Sequence, residues 1–147
     1  MTPAPVKPLI SSDDLDKIDI RVGTIVAVED IPRSDRLVRL RVDFGDHTRS
    51  ILVGMKQERP NPKAEIAGRQ ALFVVNLAPR KMAGEVSEGM LFDIGYADKI
   101  TPVLAQPEKP VPNGTRAGQG DVERAPRFPR KGLLLHLALQ ASRGSLS

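Results

Sequence analysis

Residues 37–44 read Leu-Val-Arg-Leu-Arg-Val-Asp-Phe, and this alternation constrains the fold more than any other feature of the chain. Val38, Leu40, Val42 and Phe44 fall on one side; Arg39, Arg41 and Asp43 fall on the other. A period of two belongs to a strand with one buried and one wet face. Neighbouring stretches repeat the theme. Ile20 to Val28 predicts a strand with Ile20, Val22, Val26 and Val28 sharing the inward parity, and Gly23 permits a bend or bulge. Gly45-Asp46 turns the chain into a third strand over Arg49 to Val53. Ala71 to Leu77 is a nearly continuous apolar run, short enough to favour a central strand over a helix. Gly89 to Ile94 predicts a fifth strand and Thr101 to Ala105 a short sixth.

Helices have little room. Ser11-Ser12-Asp13-Asp14-Leu15 reads as one capped turn, with a hydroxyl and carboxylates at its N-terminus. Pro60 and Pro62 limit residues 55–68 to a short helix around Lys63 to Ile66. Short strands with turn signals about every ten residues predict a small all-β barrel. A βαβ fold would need repeated longer helices. We expect a flexible arm over residues 1–12, one domain over 13–118 and a separate tail over 119–147. Aromatics make up only 3% of the chain, so the core must come from aliphatic residues. Phe44, Phe73 and Phe92 fall on inward parities, which leaves Tyr96 as the exposed ring.

The net charge of +4 is unevenly placed. Residues 1–118 carry 17 Lys/Arg against 16 Asp/Glu, and residues 119–147 carry 5 against 2. Global basicity is therefore mostly a property of the tail, which reads as flexible or loosely docked, as a partner-binding helix, or as a nucleic-acid arm. Any anion-binding surface on the domain must come from local segregation of charge. Arg33 to Arg41 holds four arginines, Arg49 to Lys63 holds four basic residues, and Arg69, Arg80 and Lys81 form a third group, with Arg80-Lys81 in a basic loop or hairpin after the apolar run. Arg39 and Arg41 share a strand face and can grip phosphates together; solvated surface is the plain alternative for each cluster. The scarcity of exposed rings argues against base stacking and for recognition of a folded RNA by shape and phosphates.

Enzymatic chemistry finds no foothold. The chain has no cysteine, His47 and His136 stand apart, and no metalloprotease, nucleophile-elbow or phosphate-loop motif occurs. Ser87 and Glu88 near Lys81 lack a positioned base. No metal and no cofactor is called for. There is no apolar stretch of signal-peptide or membrane-spanning length, so a cytoplasmic protein without membrane insertion is expected.

Several motifs occur together and in order: Asp19-Ile20-Arg21-Val22-Gly23-Thr24-Ile25, Pro32-Arg33-Ser34-Asp35-Arg36-Leu37, Val42-Asp43-Phe44-Gly45, Val75-Asn76-Leu77-Ala78-Pro79-Arg80-Lys81-Met82-Ala83-Gly84, Ser87-Glu88-Gly89-Met90 and Pro110-Val111-Pro112-Asn113-Gly114-Thr115. With them the chain resembles the tRNA-binding domain family, shared by CsaA-type chaperone-like proteins and the C-terminal domain of some methionyl-tRNA synthetases. The resemblance implies a five-stranded OB-fold barrel with short peripheral helices and terminal extensions. It implies a homodimer that binds tRNA, or a CsaA-like export chaperone for unfolded polypeptides, or a non-catalytic synthetase-associated adaptor. The closing Pro-Val-Pro-Asn-Gly looks CsaA-like, Ser-Glu-Gly-Met looks synthetase-like, and Val53 to Gln57 departs from the CsaA pattern. By resemblance the RNA surface includes Arg36, Asn76, Arg80, Lys81, Ser87 and Met90, to which the charge pattern adds Arg39 and Arg41. Asn76 and Ser87 would either hydrogen-bond RNA or hold the loops. Core packing is the alternative for Met90, and Glu88 would repel phosphate if it faced the same way.

Overall fold

The computed structural model describes residues 2–118; the tail at 119–147 lies outside them. Ser12–Leu15 forms α1, capped by the Ser11 hydroxyl, which accepts from the Asp14 N–H at 3.1 Å. The main sheet runs β1 (Ile20–Asp30), β2 (Val38–Asp43), β3 (Thr48–Val53), β4 (Gln70–Val74) and β7 (Met90–Leu91), antiparallel in the order β3-β2-β1-β4-β7. β5 (Arg80–Met82) and β6 (Glu85–Ser87) form a hairpin between β4 and β7. β8 (Asp93–Ile94) and β9 (Val103–Leu104) form a second ribbon, and β10 (Arg116–Ala117) pairs with the start of β1. Pro62–Ile66 forms α2, with Asn61 as its cap and the Ile66 side chain fully buried in the core. This is the expected all-β, OB-like architecture.

The long first strand organises the rest. Its opening residues pair with β4 on one side and β10 on the other, and from Thr24 onward it pairs with β2. The predicted alternation of β2 holds: Val38, Leu40, Val42 and Phe44 are all buried. The parity predicted for β1 does not hold throughout. The register with β2 shifts between Ile25 and Ala27: Ile25, opposite Val42, and Val28, opposite Leu40, both meet the core across a bulge at Val26, which is 53% exposed. An inserted residue moves later side chains to the other face. Gly23 serves a different end from the one expected. A Cβ there would sit 2.4 Å from Val42 Cγ1, so the missing side chain is space for β2.

Two further expectations are corrected. The strand in the Ala71–Leu77 run is interior as expected, flanked by β1 and β7, but it covers Gln70–Val74 and stops before Val75. The fifth strand breaks at Phe92 into β7 and β8, which belong to different ribbons. Phe92 is therefore 45% exposed, while Phe44 and Phe73 meet edge-to-face in the core with centroids 5.6 Å apart.

The barrel closes between β3 and the β6–β7 corner. The Glu88 N–H donates to Ser50 O at 2.8 Å, the Ser50 N–H donates to Glu88 Oε1 at 2.9 Å, and the Leu52 N–H donates to Ser87 Oγ at 3.0 Å. Side chains thus satisfy backbone donors that a continuous ladder would otherwise pair.

Candidate nucleic-acid interface

The turn between β1 and β2 is built locally. Ser34 Oγ accepts from the Arg36 and Leu37 N–H groups, an arrangement that Ser favours in turns. Lys56 Nζ reaches in from beyond β3 to donate to the Ile31 and Ser34 carbonyls and to Asp30. Arg33 and Arg36 project from this turn and are exposed. Arg36 Nη2 lies 3.6 Å from where a Cβ would stand on Gly54. Arg33 Nη1 lies across the hairpin tip, where a Cβ on Gly84 would come within 2.5 Å of it. Gly84 also has φ +79°, so its turn and its contact both favour glycine. The turn and the β5–β6 hairpin therefore meet, with Arg33 as the link.

Arg80 and Lys81 lie on β5 of this hairpin, both exposed. Among the described residues no carboxylate pairs with Arg33, Arg36, Arg80 or Lys81. Two of the neighbouring acids are already engaged, while Glu58, near enough to Arg36 to feel its charge, forms no ion pair among the described residues. Glu85 pairs with Arg39, and Glu88 is turned onto β3. Asp35 is the one carboxylate within the turn itself.

Arg39 and Arg41 share a face as expected, but both are committed to Glu29. Arg39 pairs with it at 3.3 Å and also with Glu85; Arg41 pairs with it at 3.1 Å. Hydrogen bonds from Arg41 and then Arg39 hold the Glu29 carboxyl below its usual range. Their free charge is correspondingly small. Asn76 is tied at both ends: its Oδ1 accepts from the Asp19 N–H at 2.9 Å and its Nδ2 donates to Lys17 O at 2.6 Å. Ser87 is 3% exposed and spends its hydroxyl on Leu52 N–H and Gly89 O. Met90 is 47% exposed, which corrects the core-packing alternative. Arg33 thus brings the turn that carries Arg36 against the tip of the hairpin that carries Arg80 and Lys81, while Asn76 and Ser87, the register partner of Arg80, hold the loops. Arg33 sits in the sequence motif, but only the meeting of turn and hairpin singles it out.

A putative tRNA binding domain family model matches residues 20–116. The chain belongs to the tRNA-binding domain family. Methionine–tRNA ligase of Parabacteroides distasonis is 40% identical over 112 residues, and that of Chlorobium phaeovibrioides 41% over 104. These cover 76% and 70% of the chain but only 16% and 14% of the ligases, so the chain matches a small part of each. Among solved structures, a MetRS-related protein from Pyrococcus horikoshii superimposes with a TM-score of 0.69 at 34% identity, covering 76% of this chain and 100% of that one. The chaperone CsaA of Bacillus anthracis gives 0.63 at 29%, with the same coverage. The family's domain here spans β1 through β10, so the arm and α1 lie outside the matched stretch.

Proposed function

We propose that this domain binds folded tRNA through the strip formed by Arg33, Arg36, Arg80 and Lys81, as a cytoplasmic homodimer and without catalysis. What supports this reading is that the β1–β2 turn, which carries Arg33 and Arg36, meets the tip of the β5–β6 hairpin, which carries Arg80 and Lys81 on its two faces; all four are exposed and none has an ion pair among the described residues. Such cations release counterions when they meet phosphates, whereas Arg39 and Arg41 would first have to give up Glu29. Asn76 and Ser87 act by holding the loops, and Met90 offers an apolar contact beside them. Two linked copies of a modest site would grip one large RNA through avidity.

Filter binding across a salt series tests this. Affinity for folded tRNA falls steeply with salt, and short unstructured RNA binds weakly. Replacing Arg80 and Lys81 by Ala reduces the magnitude of the log–log salt slope by about two, while urea melting stays unchanged. Unchanged affinity would remove the hairpin from the site.

The β8–β9 ribbon favours a second reading. Ile94 and Val103 are register partners and both exposed, with Phe92, Tyr96 and Ile100 nearby in sequence and also exposed. A wet apolar face of this kind marks an interface. A second copy covers it in the homodimer; an unfolded polypeptide covers it if the domain acts as a chaperone, and a synthetase if it acts as an adaptor. Suppression of client aggregation by the intact chain separates the chaperone reading from the others, and co-purification with a synthetase supports the adaptor.

A further inference from the structure

At the end of the barrel where β1 starts, the β2–β3 turn and the closing segment around Gly114 border a cleft of about 490 Å³. Arg21, His47, Arg49 and one carboxylate, that of Asp46, line it, and Asp46 Oδ1 is engaged by His47 Nδ1 at 2.6 Å. The two turns are locked together: a Cβ on Gly114, whose φ is +90°, would meet Phe44 O at 2.3 Å. Arg21 is fixed by Asp19 and by Gly114 O. Arg49 differs from it. Its Nη1 donates to Val75 O at 2.6 Å and Glu88 O at 3.0 Å, and its Nε donates to His47 Nε2 at 2.9 Å.

Arg49 is half-buried, yet among the described residues no carboxylate pairs with it and its Nη2 donates to nothing. A partly desolvated guanidinium held by neutral acceptors and by the Phe44 ring, 5.8 Å from Cζ to the centroid, has its strongest interaction still to make, with an anion. His47 stacks on Phe44, centroids 5.5 Å apart and 25° between planes, with its side chain 46% exposed. It is a fixed planar surface beside a cation, in a chain otherwise poor in exposed rings. A phosphate next to an aromatic platform is the chemistry of one nucleotide.

We propose that this cleft is a nucleotide site, in which Arg49 takes the phosphate and the base lies against His47. The nucleotide belongs to bound RNA. The Glu88 carbonyl that holds Arg49 is one residue from Ser87, the register partner of Arg80, so the cleft prolongs the basic strip along the barrel seam. This deepens the tRNA reading and rests on it for the source of the nucleotide, but the pocket can be tested alone.

The test is an amide NMR titration of the full chain with AMP, inorganic phosphate and adenosine, followed by tRNA binding by the same variants. AMP is expected to shift the amides of Gly45, Asp46, His47 and Gly114 saturably, and more tightly than phosphate or adenosine alone. His47→Ala weakens AMP about tenfold and His47→Phe restores it. Arg49→Gln weakens AMP at least about tenfold and reduces the magnitude of the tRNA salt slope by about one. Because Arg49 also holds two carbonyls, His47→Ala is the decisive variant, since it leaves those bonds in place. Arg80→Ala/Lys81→Ala leaves the AMP shifts unchanged. AMP shifts without any tRNA binding would keep the pocket, assign it to free nucleotide and overturn the RNA reading. No saturable shift at these amides, or equal AMP binding by wild type and His47→Ala, overturns the site.

Discussion

Asp19 holds two arginines from opposite ends of the domain. Its carboxylate accepts from Arg21 Nε at 2.7 Å and from Arg116 Nε at 3.2 Å, tying β1 to β10. The Arg21 hydrogen bond, with a smaller one from Arg116, holds its carboxyl below the usual range. A depressed carboxyl contributes stability that is present above the unfolded value near pH 4 and is lost as pH falls through the folded value. Asp19→Asn is therefore expected to cost about 1–2 kcal/mol at neutral pH, tempered by the exposure of Arg116. The cost shrinks as pH falls below the unfolded value near 4 and vanishes only below the folded one, measured by urea melts at neutral pH and through a descending acid series. Gly114 and Gly68 make a second pair at this scale. Both have positive φ, +90° and +87°, but only Gly114 faces a backbone atom. Gly68→Ala should cost about 1 kcal/mol and Gly114→Ala clearly more. Equal costs in thermal melts would mean that the close approach to Phe44 O is not what fixes glycine there.

The β5–β6 hairpin joins two roles within one element. Its outer face presents Lys81 with its register partner Val86, and its base supplies Ser87 to close the barrel. The Ser-Glu-Gly-Met motif is legible in the sequence, but its meaning changes once the seam is seen: Ser87 and Glu88 satisfy the backbone of β3. Ser87→Ala leaves the buried Leu52 N–H without its acceptor and should cost about 2 kcal/mol of stability. Below its melting temperature this variant should bind tRNA within about twofold of wild type, unlike a phosphate-contact variant. A large loss of affinity with intact folding would return Ser87 to the RNA surface. The bulge at Val26 shows the limit of pattern at the element scale. Alternation in β1 is real on both sides of it, but the inserted residue is set by pairing with β2 and has no local signature.

At the scale of the whole molecule, the apolar β8–β9 face is an exposure left to explain. If a second copy covers it, Ile94→Glu should turn a dimer into a monomer by light scattering, with little effect on the fold because Ile94 contributes little to the core. A wild-type monomer at micromolar concentration would reject the dimer. Among the described residues no helix is long and apolar enough to cross a membrane.

The sequence by itself determined the class of fold, because a period of two with frequent turn signals and no long helical pattern leaves little besides a small β-barrel. It also determined which residues have to lie in the core of β2, since alternation and burial are the same fact there. Tertiary structure decided which cations are free. Arg39 and Arg41 read as a phosphate patch until Glu29, ten and twelve residues away, folds back beside them. Arg33 joins the strip only because the hairpin tip folds against its turn. A charge is read from the chain, but its partner is chosen by strand pairing, and pairing is a non-local outcome of the whole sheet.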